Sequence, residues 1–433
     1  MAVALLGILL LLILMSVPIA FSIGISSLFV ILMEGNLTPW IMIQRTFGGL
    51  DSFVILAIPL FLLTGEVMNR AGITDELIDF SSTVVGHIRG GLAHINVFVS
   101  MIFAGISGSS TADTAGIGKL LIPAMIKRGY SKEFTVAVTA ASSTLGQIIP
   151  PSIIAVIYAA TVGISVGALF LGGAVPGILI GLAQMVVSYI FARKYNYPAE
   201  ERSSFRKILH AFKKAILPML SPVLLIGGII GGIFTATEAA VVSAVYSILI
   251  AIFVYRSIKL KELWDIFVTT ALNASVTIFC IAIAAVFGYL LAYFHVPEML
   301  GSVITQIASG PVSFLLIVIL LFLIVGTFMD ATPAIIILAP MLAPIACTFG
   351  VNPIHLGVII VLTLALGLIT PPYGLCLLVA AQIANIPVNF KLMRTMSIFI
   401  LVSLLIIILI ALFPDIALFI PKIFAPKMMG VTL

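Results

Sequence analysis

Apolar stretches fill almost the whole chain, at roughly residues 1–33, 52–68, 92–126, 134–192, 215–255, 266–294, 303–347, 353–386 and 395–413. A helix needs ~20 apolar residues to cross a bilayer, and hydrocarbon tolerates no unpaired backbone amide. In water such stretches would all have to be buried. A chain of 433 residues with 9% charged residues cannot cover a core of that size. The sequence therefore dictates an all-α polytopic membrane protein and excludes a water-soluble enzyme. Several stretches are too long for one span and too short for two. They predict helices broken midway, or hairpins that enter and leave on the same side.

The basic residues decide which side. Arg89, Lys127, Arg128 and Lys132 form one group, the run from Arg193 to Lys214 a second, Arg256, Lys259 and Lys261 a third, and Lys391 with Arg394 a fourth. By the positive-inside rule these loops face the cytoplasm. Between Lys261 and Lys391 there is no Lys or Arg, so loops there are free to lie outside. The stretch 92–126 has basic flanks on both sides and predicts a re-entrant hairpin from the cytoplasm. The stretch 313–347 has uncharged Gly/Pro flanks and predicts a second hairpin from outside. One hairpin from each side is the mark of inverted-topology repeats.

The segmentation that follows is first scaffold helices at 1–51, a first repeat core at 52–192 and a basic cytoplasmic linker at 193–214. Second scaffold helices at 215–265, a second repeat core at 266–413 and a tail at 414–433 complete it. The Pro-broken helices fall at about 134–160 and 353–386. About ten spans and two hairpins are expected, with the N-terminal segment retained and outside. Residues 70–86 and 295–309 read as amphipathic helices lying at the two interfaces.

Two motif pairs support the repeat. Asp113 falls on Asp330, and Pro123 on Pro340, at one offset. Leu145-Gly-Gln-Ile-Ile-Pro-Pro151 resembles Leu366-Gly-Leu-Ile-Thr-Pro-Pro372 at nearly the same offset.

Polar residues inside apolar stretches are the functional candidates. Gly105 to Gly118 packs Ser107, Gly108, Ser109, Ser110, Thr111 and Asp113 into a turn. Carbonyls freed by glycine, together with hydroxyls, are oxygen ligands for a hard cation, and freed N–H groups suit an anion. Asp113 and Asp330 are candidates both for cation binding and for helix capping. At Gly146–Pro151 and Gly367–Pro372 the prolines break a helix and leave half-helix ends inside the protein.

Other features read as structural. Glu238 in Thr235-Ala-Thr-Glu is a cap, and Gly227, Gly228, Gly231 and Gly232 suggest close helix packing. Lys119 is a snorkelling charge. Cys280, Cys347 and Cys376 are buried spectators, and the histidines lack metal-ligand spacing, so no Cys or His metal site is expected. A net charge of +5 without a dense basic tract offers nothing to nucleic acid.

Ser107-Gly-Ser-Ser-Thr-Ala-Asp-Thr114, Thr235-Ala-Thr-Glu-Ala-Ala240 and Gly367-Leu-Ile-Thr-Pro-Pro-Tyr-Gly374 together resemble the large membrane subunit of TRAP transporters, of DctM or SiaM type. The resemblance runs over essentially the whole chain. It implies sodium-driven uptake of an organic acid, delivered by a periplasmic solute-binding protein, in the bacterial inner membrane. It also implies a small membrane subunit of DctQ or SiaQ type, here expected as a separate polypeptide. An elevator mechanism follows, in which a domain carrying both hairpins slides against a scaffold.

On this resemblance one sodium site uses Ser107, Gly108, Ser109, Ser110 and Asp113 with Gly146 and Pro150. The other uses Gly326, Thr327 and Asp330 with Gly367, Thr370 and Pro371. Substrate meets Ser110, Thr111 and Thr370. The second hairpin lacks a Ser-rich tip, which puts more weight on backbone carbonyls. Sialic acid is the favoured substrate, with C4-dicarboxylates next. A proton-coupled carrier without a binding protein is the alternative. An intramembrane aspartyl protease is remote, since Ala112-Asp113 and Met329-Asp330 lack the Tyr-Asp and Gly-x-Gly-Asp contexts of those enzymes.

Overall fold

The structure, a computed structural model, describes residues 1–15 and 17–426, and every regular element among them is helical. Two short apolar helices open the chain, α1 (Ala2–Leu14) and α2 (Ile19–Glu34). They are followed by α3 (Trp40–Leu50) and α4 (Ala57–Arg70), with a 3-10 turn between them, and by the amphipathic α5 (Ile73–Val85). Hairpin 1 is α6 (Gly91–Ser107) and α7 (Ser110–Lys127). The first broken helix is α8 (Lys132–Ser143) and α9 (Ile153–Val162), and α10 (Val166–Tyr195) closes this half.

The second half repeats the order. It runs α11 (Phe205–Ile230), α12 (Ala236–Leu249), the long α13 (Leu260–Tyr293) and the amphipathic α14 (Val296–Ile307). Hairpin 2 is α15 (Pro311–Gly326) and α16 (Ala331–Thr348). The second broken helix is α17 (Pro353–Gly367) and α18 (Leu375–Ile383), before α19 (Phe390–Leu412) and α20 (Asp415–Phe424).

Packing interlocks the halves. Each inner half-helix crosses to the opposite hairpin: α9 lies on α16, and α18 lies on α7. The outer halves stay at home, α8 against α6 and α17 against α15. The hairpins and broken helices thus share one core, of which α17 is buried at almost every position. Around it α3, α4, α12 and α13 pack on one another, with α2 against α13 and α1 against α2.

The caps correct the repeat register. Ser109 caps α7 as Asp330 caps α16, and Ser131 caps α8 as Asn352 caps α17. Gly129 and Gly350 both take positive φ just past the hairpins. These pairs share one constant offset, which also relates Gly146 to Gly367 and Pro150 to Pro371. Asp113 therefore stands opposite Ala334, and Asp330 opposite Ser109. The Asp113–Asp330 alignment is one helical turn out. A shift of one turn keeps the same helix face, which is why Pro123 still met a proline, Pro340, rather than its partner Pro344.

Other expectations also change. Among the described residues seven helices, or eight if a pair bent by 120° counts as one, are long and apolar enough to cross a membrane, not ten. The 13-residue α1 and 16-residue α2 and the Pro-Pro breaks account for the shortfall. A Cβ at Gly227 or Gly232 would meet nothing within 4 Å and one at Gly228 would meet the Phe234 ring, so these glycines shape the end of α11 rather than pack it on another helix. Cys347 is exposed, since it lies one residue from the end of α16.

The linker is also shorter than 193–214, because α10 runs to Tyr195 and α11 begins at Phe205. It is laced to the base of hairpin 1. The Pro198 carbonyl accepts from Gly90 N–H at 3.1 Å, and Ser82 Oγ donates to Glu200 Oε2 at 2.7 Å.

Candidate functional site

Hairpin 1 turns at Ser107-Gly108-Ser109. Gly108 sits at φ +64°, and a Cβ there would lie 2.8 Å from the Pro151 carbonyl oxygen. Glycine alone allows both the left-handed turn and this approach of the tip to the Pro-Pro break. Ser109 supplies the cap of α7, its Oγ accepting from the Ala112 N–H.

That assignment frees Asp113 from capping. Its side chain is wholly buried in the first turn of α7, where the helix N-terminus favours a negative charge. Ser107 Oγ donates to its Oδ1, while Oδ2 has no protein partner. Oδ2 faces Gly146, where a Cβ would overlap it. Ser110 Oγ donates to the Thr144 carbonyl at 3.3 Å beside them. A buried carboxylate oxygen without a partner is costly, and hydroxyl and carbonyl oxygens around it form the donor set a hard cation takes.

The second half is built differently. Asp330 is the cap itself, accepting from the Thr332 N–H at 3.4 Å. Thr327 Oγ1 and Thr370 Oγ1 donate back to Ile324 and Leu366 at 2.7 and 2.9 Å, so both hydroxyl protons are spent within their own helices. What joins hairpin 2 to its break is backbone. Tyr373 N–H donates to the Thr327 carbonyl at 2.9 Å, and a Cβ at Gly367 would lie 2.7 Å from the Gly326 carbonyl oxygen.

Between the hairpin tips lies a cavity of about 620 Å3. Of the candidate residues, Ser107, Gly108, Ser109, Thr111 and Asp330 line it. Ser110, Asp113, Gly146 and Pro150 are not on its surface, and neither are Gly326, Thr327, Gly367, Thr370 and Pro371.

The sequence reading missed the opposite wall. Glu66 and Asn69 of α4, Thr270, Asn273 and Thr277 of α13, and Gln147 and Tyr373 all line the cavity. The spacing of Thr270, Asn273 and Thr277 is a polar stripe on an otherwise apolar helix. It was a legible signal.

The charge pattern of the walls is specific. Among the described lining residues there is no Lys or Arg, and the carboxylates are Glu66 and Asp330. Positive potential comes instead from helix ends. The first residues or caps of α7 (Ser109, Thr111, Ala112), α9 (Ile153, Ile154), α16 (Asp330, Thr332) and α18 (Leu375) all reach the cavity. Four helix N-termini converge on one space, each presenting N–H groups that can donate to an anion.

Comparison with known proteins gives the context. The family described as "Tripartite ATP-independent periplasmic transporter, DctM component" matches residues 6–416. The sialic acid TRAP transporter large permease protein SiaM of Vibrio cholerae is 37% identical over 408 residues, 94% of this chain and 95% of that protein. The C4-dicarboxylate TRAP transporter large permease protein DctM of Pseudomonas aeruginosa is 40% identical over 401 residues, 93% of this chain and 94% of that protein. In fold, the chain is similar to the crystal structure of the Alcanivorax borkumensis YdaH transporter, with a TM-score of 0.62 at 13% identity over 86% of each chain.

Proposed function

This chain belongs to the DctM-component family of TRAP transporters, a family of transport permeases rather than enzymes. From that premise we propose that it is the large membrane subunit of a sodium-coupled importer of an organic acid. It works with a small membrane subunit and a periplasmic solute-binding protein, in the bacterial inner membrane. Sialic acid is the favoured cargo, with C4-dicarboxylates next. Relatives named for both are about equally similar.

The observation that carries this reading is the cavity bounded by four helix N-termini and no basic side chain. Helix dipoles and partly freed N–H groups hold a carboxylate without a Lys or Arg that would bind it too tightly to release. Sodium supplies the rest of the positive charge. In the first half Asp113 Oδ2, with the Ser107 and Ser110 hydroxyls and the backbone near Gly146, suits one ion. In the second half, backbone near Gly326, Thr327 and Gly367 suits another, with Asp330 close by. About two sodium sites follow. Each couples a hairpin tip to a broken helix, so ion binding orders the walls that hold the acid.

The two hairpins and broken helices move together, because α9 and α18 are interlocked with the opposite hairpins. Helices α4 and α13 form the fixed wall of an elevator, and both hairpins are re-entrant. The cavity reaches the half of α4 that ends at Arg70 and the half of α13 that begins beside Lys259 and Lys261. By charge that side is cytoplasmic, so this conformation is inward-open.

The test is uptake into proteoliposomes holding both membrane subunits, with the binding protein outside. Uptake needs external sodium and the binding protein. Equal uptake after potassium replaces sodium refutes the coupling. Uptake driven by a pH jump without sodium favours the proton-coupled alternative.

A further inference from the structure

Lys119 is the one basic residue on the open face of hairpin 1 between its tip and its base. On α7 the positions that are not buried recur as Thr111 and Ala112, Ala115 and Gly116, Lys119 and Leu120. Thr111, Ala112 and Ala115 line the cavity, and Gly116 faces Asn69, itself a lining residue. Lys119 follows Ala115 by four residues and Ala112 by seven, so it continues the same stripe one and two turns further on. It stands about 10 Å beyond Ala112 along the axis, on the way to Lys127 and Arg128 at the hairpin base. A helical side chain leans towards the N-terminus, which turns the ammonium back towards the cavity.

Its place in the helix sets it apart from Lys127 and Arg128, which stand at the hairpin base. Arg70, Arg128, Lys214 and Lys391 each face a carboxylate at 4.0 Å or less. Lys119 makes no ion pair among the described residues. It is exposed, yet lies well inside α7 rather than at the hairpin base.

We infer that Lys119 is a positioning residue for substrate release, the first cationic side chain an acid anion meets on leaving the helix N-termini for the cytoplasm. This rests on the transporter reading above. An anion leaving a site without basic side chains still has to cross membrane depth, where charge is costly, and a single cation part way lowers that barrier in both directions. Being outside the cavity wall, Lys119 leaves binding at the hairpin tips unchanged. It speeds passage and distinguishes the inner route from the outer one.

The experiment measures net uptake of radiolabelled sialic acid, or succinate if sialic acid is not carried, in proteoliposomes with low luminal salt. Lys119→Gln slows uptake about three- to tenfold, Lys119→Glu slows it further, and Lys119→Arg restores it. The sodium concentration giving half-maximal uptake stays at the wild-type value in all three. High luminal potassium chloride screens the lysine and erases most of the difference between wild type and Lys119→Gln.

Wild-type rates in both the Gln and Glu variants at low luminal salt overturn the inference. So does a defect confined to liposomes with anionic lipid and absent in pure phosphatidylcholine, which assigns Lys119 to a negatively charged lipid headgroup. A shifted sodium response or loss of inserted protein makes the residue structural and likewise overturns it. If wild type carries neither acid with sodium, the transporter reading itself has failed, an outcome distinct from equal rates across the variants.

Discussion

Gly367→Ala probes the contact on which the second cation site depends. A Cβ at residue 367 would lie 2.7, 2.8 and 2.9 Å from the O, C and Cα atoms of Gly326. All three are backbone atoms of the hairpin 2 tip, so no rotamer change relieves the overlap. The tip must retreat by about 0.7 Å to reach ordinary contact, and overpacking of this kind costs about 1–3 kcal/mol. The proposed second sodium site requires the unshifted tip, so that cost is taken from ion affinity. It corresponds to a half-maximal sodium concentration raised about five- to hundredfold. Initial uptake rates against external sodium in proteoliposomes measure it. Gly301→Ala is the control, since its Cβ would meet only the Ile345 side chain at 3.6 Å. A correctly inserted Gly367→Ala protein with a wild-type sodium response refutes the reasoning.

Three further substitutions separate ion binding from folding. Asp113→Asn keeps the shape of the side chain and removes its charge, so sodium-dependent uptake falls at least about tenfold while inserted protein remains near wild type; quantitative membrane blots beside the uptake assay check both. Thr235→Ala breaks the reciprocal Thr235–Glu238 cap of α12 and lowers stability by about 1 kcal/mol, with uptake per inserted molecule unchanged. At the cytoplasmic base of α8, burial pushes the Glu133 carboxyl up. Its own amide N–H and Lys391, 3.0 Å away, with Lys132 adding to them, outweigh that and hold it below its ordinary value. A depressed carboxyl stabilises the fold above its unfolded pKa of about 4.3, and loses that stability as pH falls through the lower folded value. Detergent melting curves of wild type and Lys391→Ala therefore differ at neutral pH and converge only as the pH falls through the depressed folded value.

The local breaks were the most legible part of the chain. Glycine, proline and hydroxyl residues inside apolar stretches can only be turns, caps or half-helix ends, so Ser107–Asp113 and Gly367–Pro372 declared themselves. The register of the repeat was only partly legible from motifs. A helix aligned one turn out presents the same face, so the hairpin pair Asp113–Asp330 misled, although the Pro-Pro pair Leu145–Leu366 carried the true offset that the caps Ser109 and Asp330 confirm. The scaffold wall was legible only as a weak stripe, Thr270, Asn273 and Thr277. Single polar residues on a long apolar helix do not say which neighbour they face. Thr370 and Thr327 show a further limit: helix geometry spends their hydroxyl protons on their own carbonyls, which leaves oxygen lone pairs as all they offer a cation, and no motif announces this.

The most direct test is a structure of the complete transporter with sodium and its acid bound. The account predicts the carboxylate between the N-termini of α7, α9, α16 and α18, within hydrogen-bond reach of backbone N–H groups at Ser110 or Thr111, and an ion beside Asp113 that is lost in potassium. An acid seated on a lysine or arginine, or outside this cavity, contradicts it.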